Sequence, residues 1–142
     1  MVPRQFSDVV VLERLRLIER QLRTLADIEA TPERGVVEQL AVERILTQLV
    51  DLAVGINLHI VGSLGHVAPT DAAESFREAA AQGVITRSLA EALIPSVGMR
   101  NVLIHEYVRV DEQRVGEAVP LALEQFELYV QSVARWLEDQ AG

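Results

Sequence analysis

The chain has 142 residues, a formal net charge of −8, 49% hydrophobic and 24% charged residues, and no cysteine. A length and apolar content of this kind predict one folded domain over 1–142. The lack of cysteine excludes disulfide scaffolds, thiolate zinc sites and cysteine nucleophiles, and the acidity excludes coating of DNA or an anionic membrane by bulk charge.

All 13 basic residues are arginine. Lysine general bases, Schiff bases and phosphate-binding P-loops are therefore excluded as well. The first residues carry no apolar core of signal-peptide type. The most apolar stretch, 49–65, is interrupted by Asp51, Asn57 and His59 and is too short and polar to span a bilayer comfortably. A soluble, cytoplasmic protein is the expectation.

Apolar residues recur with a helical period almost throughout. Val11, Leu15, Ile18, Leu22 and Leu25 define a first amphipathic helix, with Arg14, Glu19, Arg20 and Arg23 on its wet sides. Thr31-Pro32-Glu33 reads as the start of the second: a cap, a proline in the first turn and an early acid. That helix carries Val42, Ile45, Leu49, Leu52 and Ile56 and is expected to end near Ser63, closed by Gly62, Gly65 and Pro69.

Asp71 with Glu74 reads as a capping box for a short third helix around Phe76 and Ala79, and Gly83 suits its stop. Thr86 or Ser88 opens a fourth helix through Leu89, Leu93 and Val97, with Pro95 expected to kink or break it. Asp111 caps the last region. There Val119, Leu123, Phe126, Val130, Val133 and Leu137 mark a long final helix, and Pro120 marks its start or a kink. Strict strand alternation, repeats and linkers are absent from the pattern. The expected fold is all-α: an up-and-down antiparallel bundle of four main helices plus a short one. The seams of the long helices are wide enough to face more than one neighbour, so a homodimer is expected.

One segment breaks the apolar pattern with chemistry: Arg100-Asn101-Val102-Leu103-Ile104-His105-Glu106-Tyr107. On a helix Asn101 and His105 share one face, and Arg100 and Tyr107 share another. A core stripe through Leu93, Val97, Ile104 and Val108 is expected between them. Arg100 and His105 diverge by about 140° on an ideal helix. Either distortion near Pro95 and Gly98 or a second subunit must bring them to one phosphate.

These residue types suit phosphodiester cleavage. A histidine can take a proton from a ribose 2′-hydroxyl or give one to the leaving 5′-oxygen. An arginine clamps the phosphate and offsets the charge that grows in the transition state, and an asparagine can position either. Intramolecular attack needs no metal, and His59, His66 and His105 lack metal-ligand spacing, so no metal or other cofactor is expected. The competing reading makes His105 a packing residue at the stripe's margin, Tyr107 a cap on the core, and Arg100 a partner of Glu106 or Asp111.

The run Arg-Asn-x-x-x-His-x-Tyr resembles the signature of HEPN domains of the HepT type. Gly98-Met99 before it, Val110-Asp111 after it and the helical layout resemble that family over essentially the whole chain. The resemblance implies a toxin of a type II toxin–antitoxin pair, a metal-independent endoribonuclease. Carried onto this sequence, it makes Arg100 and His105 catalytic with Asn101 as polar support. It also implies a homodimer whose motifs face a shared cleft, and an antitoxin that is a minimal, MntA-like nucleotidyltransferase. That antitoxin silences the toxin by adding AMP to the motif tyrosine, here Tyr107.

Glu106 departs from the family, in which a small residue often separates the histidine from the tyrosine. A carboxylate there repels RNA unless it points away; by helical angle it lies about 100° from His105. Substrate capture is expected to depend on Arg100, Arg109 and Arg114 and to weaken with salt. Asn57 and His59 read either as support for the motif or as a buried hydrogen bond and a partly exposed face. His66 reads as a loop residue, and Tyr129 and Trp136 as core or dimer packing. The alternative function is a non-catalytic helical module that binds the nucleotidyltransferase or a nucleotide.

Overall fold

The computed structural model describes residues 7–141, the side chain of Tyr107 excepted. The described residues are helical throughout their regular structure: α1 (Asp8–Glu29), α2 (Val36–Ser63), α3 (Ala72–Ala81), α4 (Arg87–His105), a 3-10 turn (Tyr107–Arg109) and α5 (Glu112–Ala141). The arrangement is the expected up-and-down bundle. α2 packs against each of the other helices, α1 also meets α5, and α4 also meets α3 and α5.

That position explains the composition of α2, which is long and apolar enough to cross a membrane. Neighbours on several sides leave Leu49, Ala53, Ile56 and Ile60 without solvent contact, so the apolar stripe must be wide. α1 needs only one stripe. Its five predicted core residues, Val11, Leu15, Ile18, Leu22 and Leu25, are all buried.

Most boundaries follow local capping chemistry. Asp71 Oδ1 accepts from Glu74 N–H at 2.7 Å and Thr86 Oγ1 from Leu89 N–H at 3.0 Å, each satisfying an orphan donor of the first turn. Gly65 and Gly83 adopt φ of +83° and +79°. Each follows a helix end where the next residue's N–H reaches back to a carbonyl, His66 to Val61 and Val84 to Ala79.

The start of α2 differs from expectation. Thr31 completes the end of α1 by donating to the Asp27 carbonyl at 3.0 Å. α2 starts only at Val36, where Glu38 Oε1 accepts from Gly35 N–H at 2.7 Å. The prolines also behave differently. Neither Pro95 nor Pro120 ends its helix; both lie inside and exposed, so water can reach the carbonyl each leaves without an intrahelical donor. α5 therefore begins eight residues before Pro120, at Glu112, with Asp111 Oδ1 accepting from Gln113 and Arg114 N–H.

The core holds one polar network. Tyr129 OH lies 2.6 Å from Asn57 Oδ1 and 3.1 Å from the Ala53 carbonyl, while Asn57 Nδ2 donates to Ser75 Oγ at 3.2 Å. Burial raises the Tyr129 phenol well above its usual pKa, so it stays a donor. The Phe76 ring meets Tyr129 edge-on at 6.0 Å. Asn57 thus ties α2 to α3 and α5, and Trp136 and Tyr129 are both core residues.

Candidate functional site at the end of α4

α4 presents the polar segment in its last turns. Leu93 and Val97 are buried and hold the helix against its neighbours. Beyond them Met99 and Leu103 still pack partly against the core, but Ile104 is 39% and Val108 86% exposed, against the expectation that both are buried. Asn101, His105 and Glu106 are exposed, so this side of the motif stands in solvent.

The Arg100 guanidinium is half-buried and held on two sides. Its Nε donates to Asp51 Oδ1 on α2 at 3.0 Å, and its Nη1 to Asn101 Oδ1 at 3.1 Å. Its carboxylate partner is therefore Asp51, not Glu106 or Asp111. Nε and Nη1 lie on different edges of the fork, so Nη2 and the second Nη1 hydrogen are the donors left for an incoming phosphate.

His105 is the last residue of α4 and is exposed. The helix runs unbroken from Arg87 to His105, so no distortion at Pro95 or Gly98 turns Arg100 towards His105. The divergence of about 140° expected from helical geometry stands. Within one chain Arg100 and Asn101 meet, and neither shares a hydrogen bond with His105 among the described residues.

Tyr107 does not share a helical face with Arg100. Glu106, at φ −128° and ψ 37°, breaks the helix, and Tyr107 opens the 3-10 turn, closed by Arg109 N–H donating to the Glu106 carbonyl at 2.8 Å. The angular argument fails because the helix ends two residues too early. The Tyr107 side chain, and with it the expectation that it caps the core, lies outside the described residues.

On the flank of α4 that faces α5 lies an apolar groove of about 520 Å³, walled by Pro95, Met99, Leu121 and Phe126, with Arg114 and Glu117 at its edge. A second groove of about 670 Å³ shares Pro95, Met99 and Arg114 and extends past Gly98 and Val102 to Glu106 and Arg109. Leu121 is 54% exposed.

Asn57 belongs to the core network, and His59 Nε2 accepts from Ser7 N–H at 3.0 Å, tying down the start of α1. His66 follows Gly65 in an exposed loop, as expected. Asp51 is the site residue that sequence reasoning missed. Its signal was a single acid in the apolar run 49–56, which marks the wet edge of an otherwise buried helix.

A family model described as Ribonuclease HepT-like matches residues 11–133. The chain belongs to the HepT-like ribonuclease family. It is 34% identical over 133 residues to a protein of Aphanizomenon flos-aquae (strain 2012/KM1/D3) named tRNA nuclease HepT, covering 91% of this chain and 90% of that one. The fold of this HepT-like chain recurs in the tri-AMPylated Shewanella oneidensis HEPN toxin, solved in complex with MNT antitoxin. There the TM-score is 0.81 at 22% identity, over 92% of this chain and 99% of the toxin. It recurs too in YutE, a cytosolic Bacillus subtilis protein, with TM-score 0.86 at 15% identity over 99% of this chain and 95% of YutE.

Proposed function

We propose that this HepT-like chain is the toxin of a type II toxin–antitoxin pair and cleaves RNA without a metal ion. The exposed Arg100–Asn101 pair carries the reading, with the guanidinium half-anchored on Asp51 and open to solvent. Arg100 binds a non-bridging phosphate oxygen and offsets the charge of the pentacoordinate transition state. The ribose 2′-oxygen attacks phosphorus, its proton passing to His105, and the P–O5′ bond breaks as the 5′-oxygen takes a proton from water, giving a 2′,3′-cyclic phosphate and a free 5′-hydroxyl. Asn101 steadies the guanidinium and hydrogen-bonds the substrate.

The divergence of Arg100 and His105 favours a composite site. A two-fold axis places the arginine of one copy beside the histidine of the other. The apolar groove beside α4, with Leu121 half-exposed on its wall, is the face on which we seat the second copy. The Aphanizomenon relative is named a tRNA nuclease, so tRNA is the first substrate to try. The Shewanella HEPN toxin is described as AMPylated and bound to an MNT antitoxin. By analogy a nucleotidyltransferase partner transfers AMP from ATP to the Tyr107 oxygen, releasing pyrophosphate, and the added phosphate charge and bulk silence the site.

Incubation of purified protein with tRNA in EDTA tests the core of this. Cleavage products ending in a cyclic phosphate, lost in His105→Ala, are expected. Intact tRNA after incubation with folded wild-type protein, together with tight binding of the nucleotidyltransferase, would leave the non-catalytic interaction module instead. Co-expression with the partner should add multiples of the AMP mass to the peptide containing Tyr107.

A further inference from the structure

We infer that the groove between α1 and α2 is an RNA-backbone subsite in which Arg14 and Arg44 each hold a phosphate flanking the cleaved linkage. The inference rests on the nuclease reading and adds residues that reading does not use.

The groove measures about 370 Å³, and Arg14, Gln21, Arg44, Gln48, Asp51 and Gly55 wall it. Asp51 is shared with the motif, because its Oδ1 accepts from Arg100 Nε at 3.0 Å. The groove therefore begins where the Arg100–Asn101 pair ends, and a strand bound at Arg100 continues into it.

Arg14 is laid in place by its surroundings. The Arg14 side chain lies over Gly55: a Cβ added there would stand 3.1 Å from Arg14 Nε and push it by a few tenths of an ångström. The amides of Gln21 and Gln48 meet at 2.8 Å. With its oxygen turned to Arg44, Gln48 accepts from Nε and Nη2 at 3.2 and 3.3 Å. Among the described residues neither arginine is paired with a carboxylate. Both keep donors for an anion, and the amides offer partners to ribose hydroxyls and base edges.

Charge favours this side over the α5 side. The α1–α2 groove sets Arg14 and Arg44 against the single carboxylate of Asp51, whereas α5 carries six acids to two arginines. The grooves flanking α4 and α5 set Arg109 and Arg114 beside Glu106, Asp111 and Glu117. Those positions are close to charge balance, so a polyanion is drawn to the α1–α2 groove rather than to Arg109 and Arg114.

The experiment measures binding of a fluorescent single-stranded oligoribonucleotide by anisotropy in a His105→Ala background, so that cleavage does not intervene. Replacing both Arg14 and Arg44 by Gln should weaken binding by about ten-fold. It should also flatten the plot of log affinity against log salt by about 1.4, the value for two phosphates on a single strand. Arg16→Gln with Arg20→Gln removes the same charge from the far side of α1 and should change little. Gly55→Ala keeps every charge, favours the helix and shifts Arg14 by a few tenths of an ångström, so it should weaken binding by less than the double variant does, and a circular-dichroism melt confirms that each variant is folded. Equal losses in both arginine pairs, or no loss in either, overturn the proposal. So does unchanged RNA binding with loss of the nucleotidyltransferase complex, which would make the groove a protein-docking surface. Wild-type protein that cuts no RNA but binds it through Arg14 and Arg44 would sink the nuclease reading and leave the subsite standing.

Discussion

Arg100 on α4 and Asp51 on α2, 49 positions apart, are joined by a 3.0 Å hydrogen bond from Nε to Oδ1. The pair is solvent-accessible, and exposed ion pairs contribute about 0–1 kcal/mol to stability. Its consequence lies in where it leaves the guanidinium. Asp51→Asn should lower kcat for RNA cleavage by about ten-fold, roughly 1.4 kcal/mol of transition-state binding. KM should hold or fall, because a carboxylate beside the phosphate is gone. Steady-state kinetics and a melting curve separate the two effects. An unchanged kcat would mean that Asp51 plays no part in aiming Arg100.

If the site is shared between copies, Arg100→Ala and His105→Ala proteins should each be inactive and should rescue one another on mixing. Random re-pairing makes half the dimers mixed, each with one intact site, so activity should return to about a quarter of wild type. Each variant alone should lose about a hundred-fold or more in rate. His105 is exposed at a helix end, so its replacement should shift stability by no more than about 0.5 kcal/mol. Absence of rescue after denaturation and joint refolding argues for a site within one chain.

Tyr129→Phe removes the buried donor to Asn57 Oδ1 and the Ala53 carbonyl. Leaving buried acceptors without a donor costs about 1–3 kcal/mol. Thermal unfolding should show a lower Tm with catalysis unchanged at temperatures where the variant is folded. Wild-type stability in Tyr129→Phe would mean that the network is dispensable.

His59 provides a pH dependence of known sign. Burial, and then the nearby Arg14 charge, lower its pKa below the usual value of 6.5. The neutral ring accepts the Ser7 N–H, and the unfolded chain binds the proton more readily. The contribution is therefore complete above about pH 6.5 and is lost as pH falls through the lowered folded value. Unfolding followed between about pH 8 and pH 5 should show this loss, and His59→Gln, which accepts the same bond without titrating, should reduce it. Identical pH profiles would rule the histidine out as the cause.

Residues whose partners lie within a few positions were legible in the sequence. The caps Asp71, Thr86 and Asp111 and the positive-φ stop at Gly83 are local, and the structure repeats them. The start of α2 differs from the local signal because Gly35 and Glu38 compete with Thr31-Pro32-Glu33, and local signals of similar strength do not rank themselves. Ile104 and Val108 were placed in the core because a period says which face a residue occupies, not how far the neighbouring helices extend.

The all-α class, the five helices and the Arg100-to-His105 motif follow from the amino-acid order alone, since helical period and capping act over a turn or two. Folding decided what those residues meet. It gave Arg100 the carboxylate of Asp51, laid Arg14 over Gly55 and put Asn57 in the core, leaving His105 exposed at the end of α4. Such pairings depend on the rotation and offset between packed helices, and no spacing within a single helix encodes them.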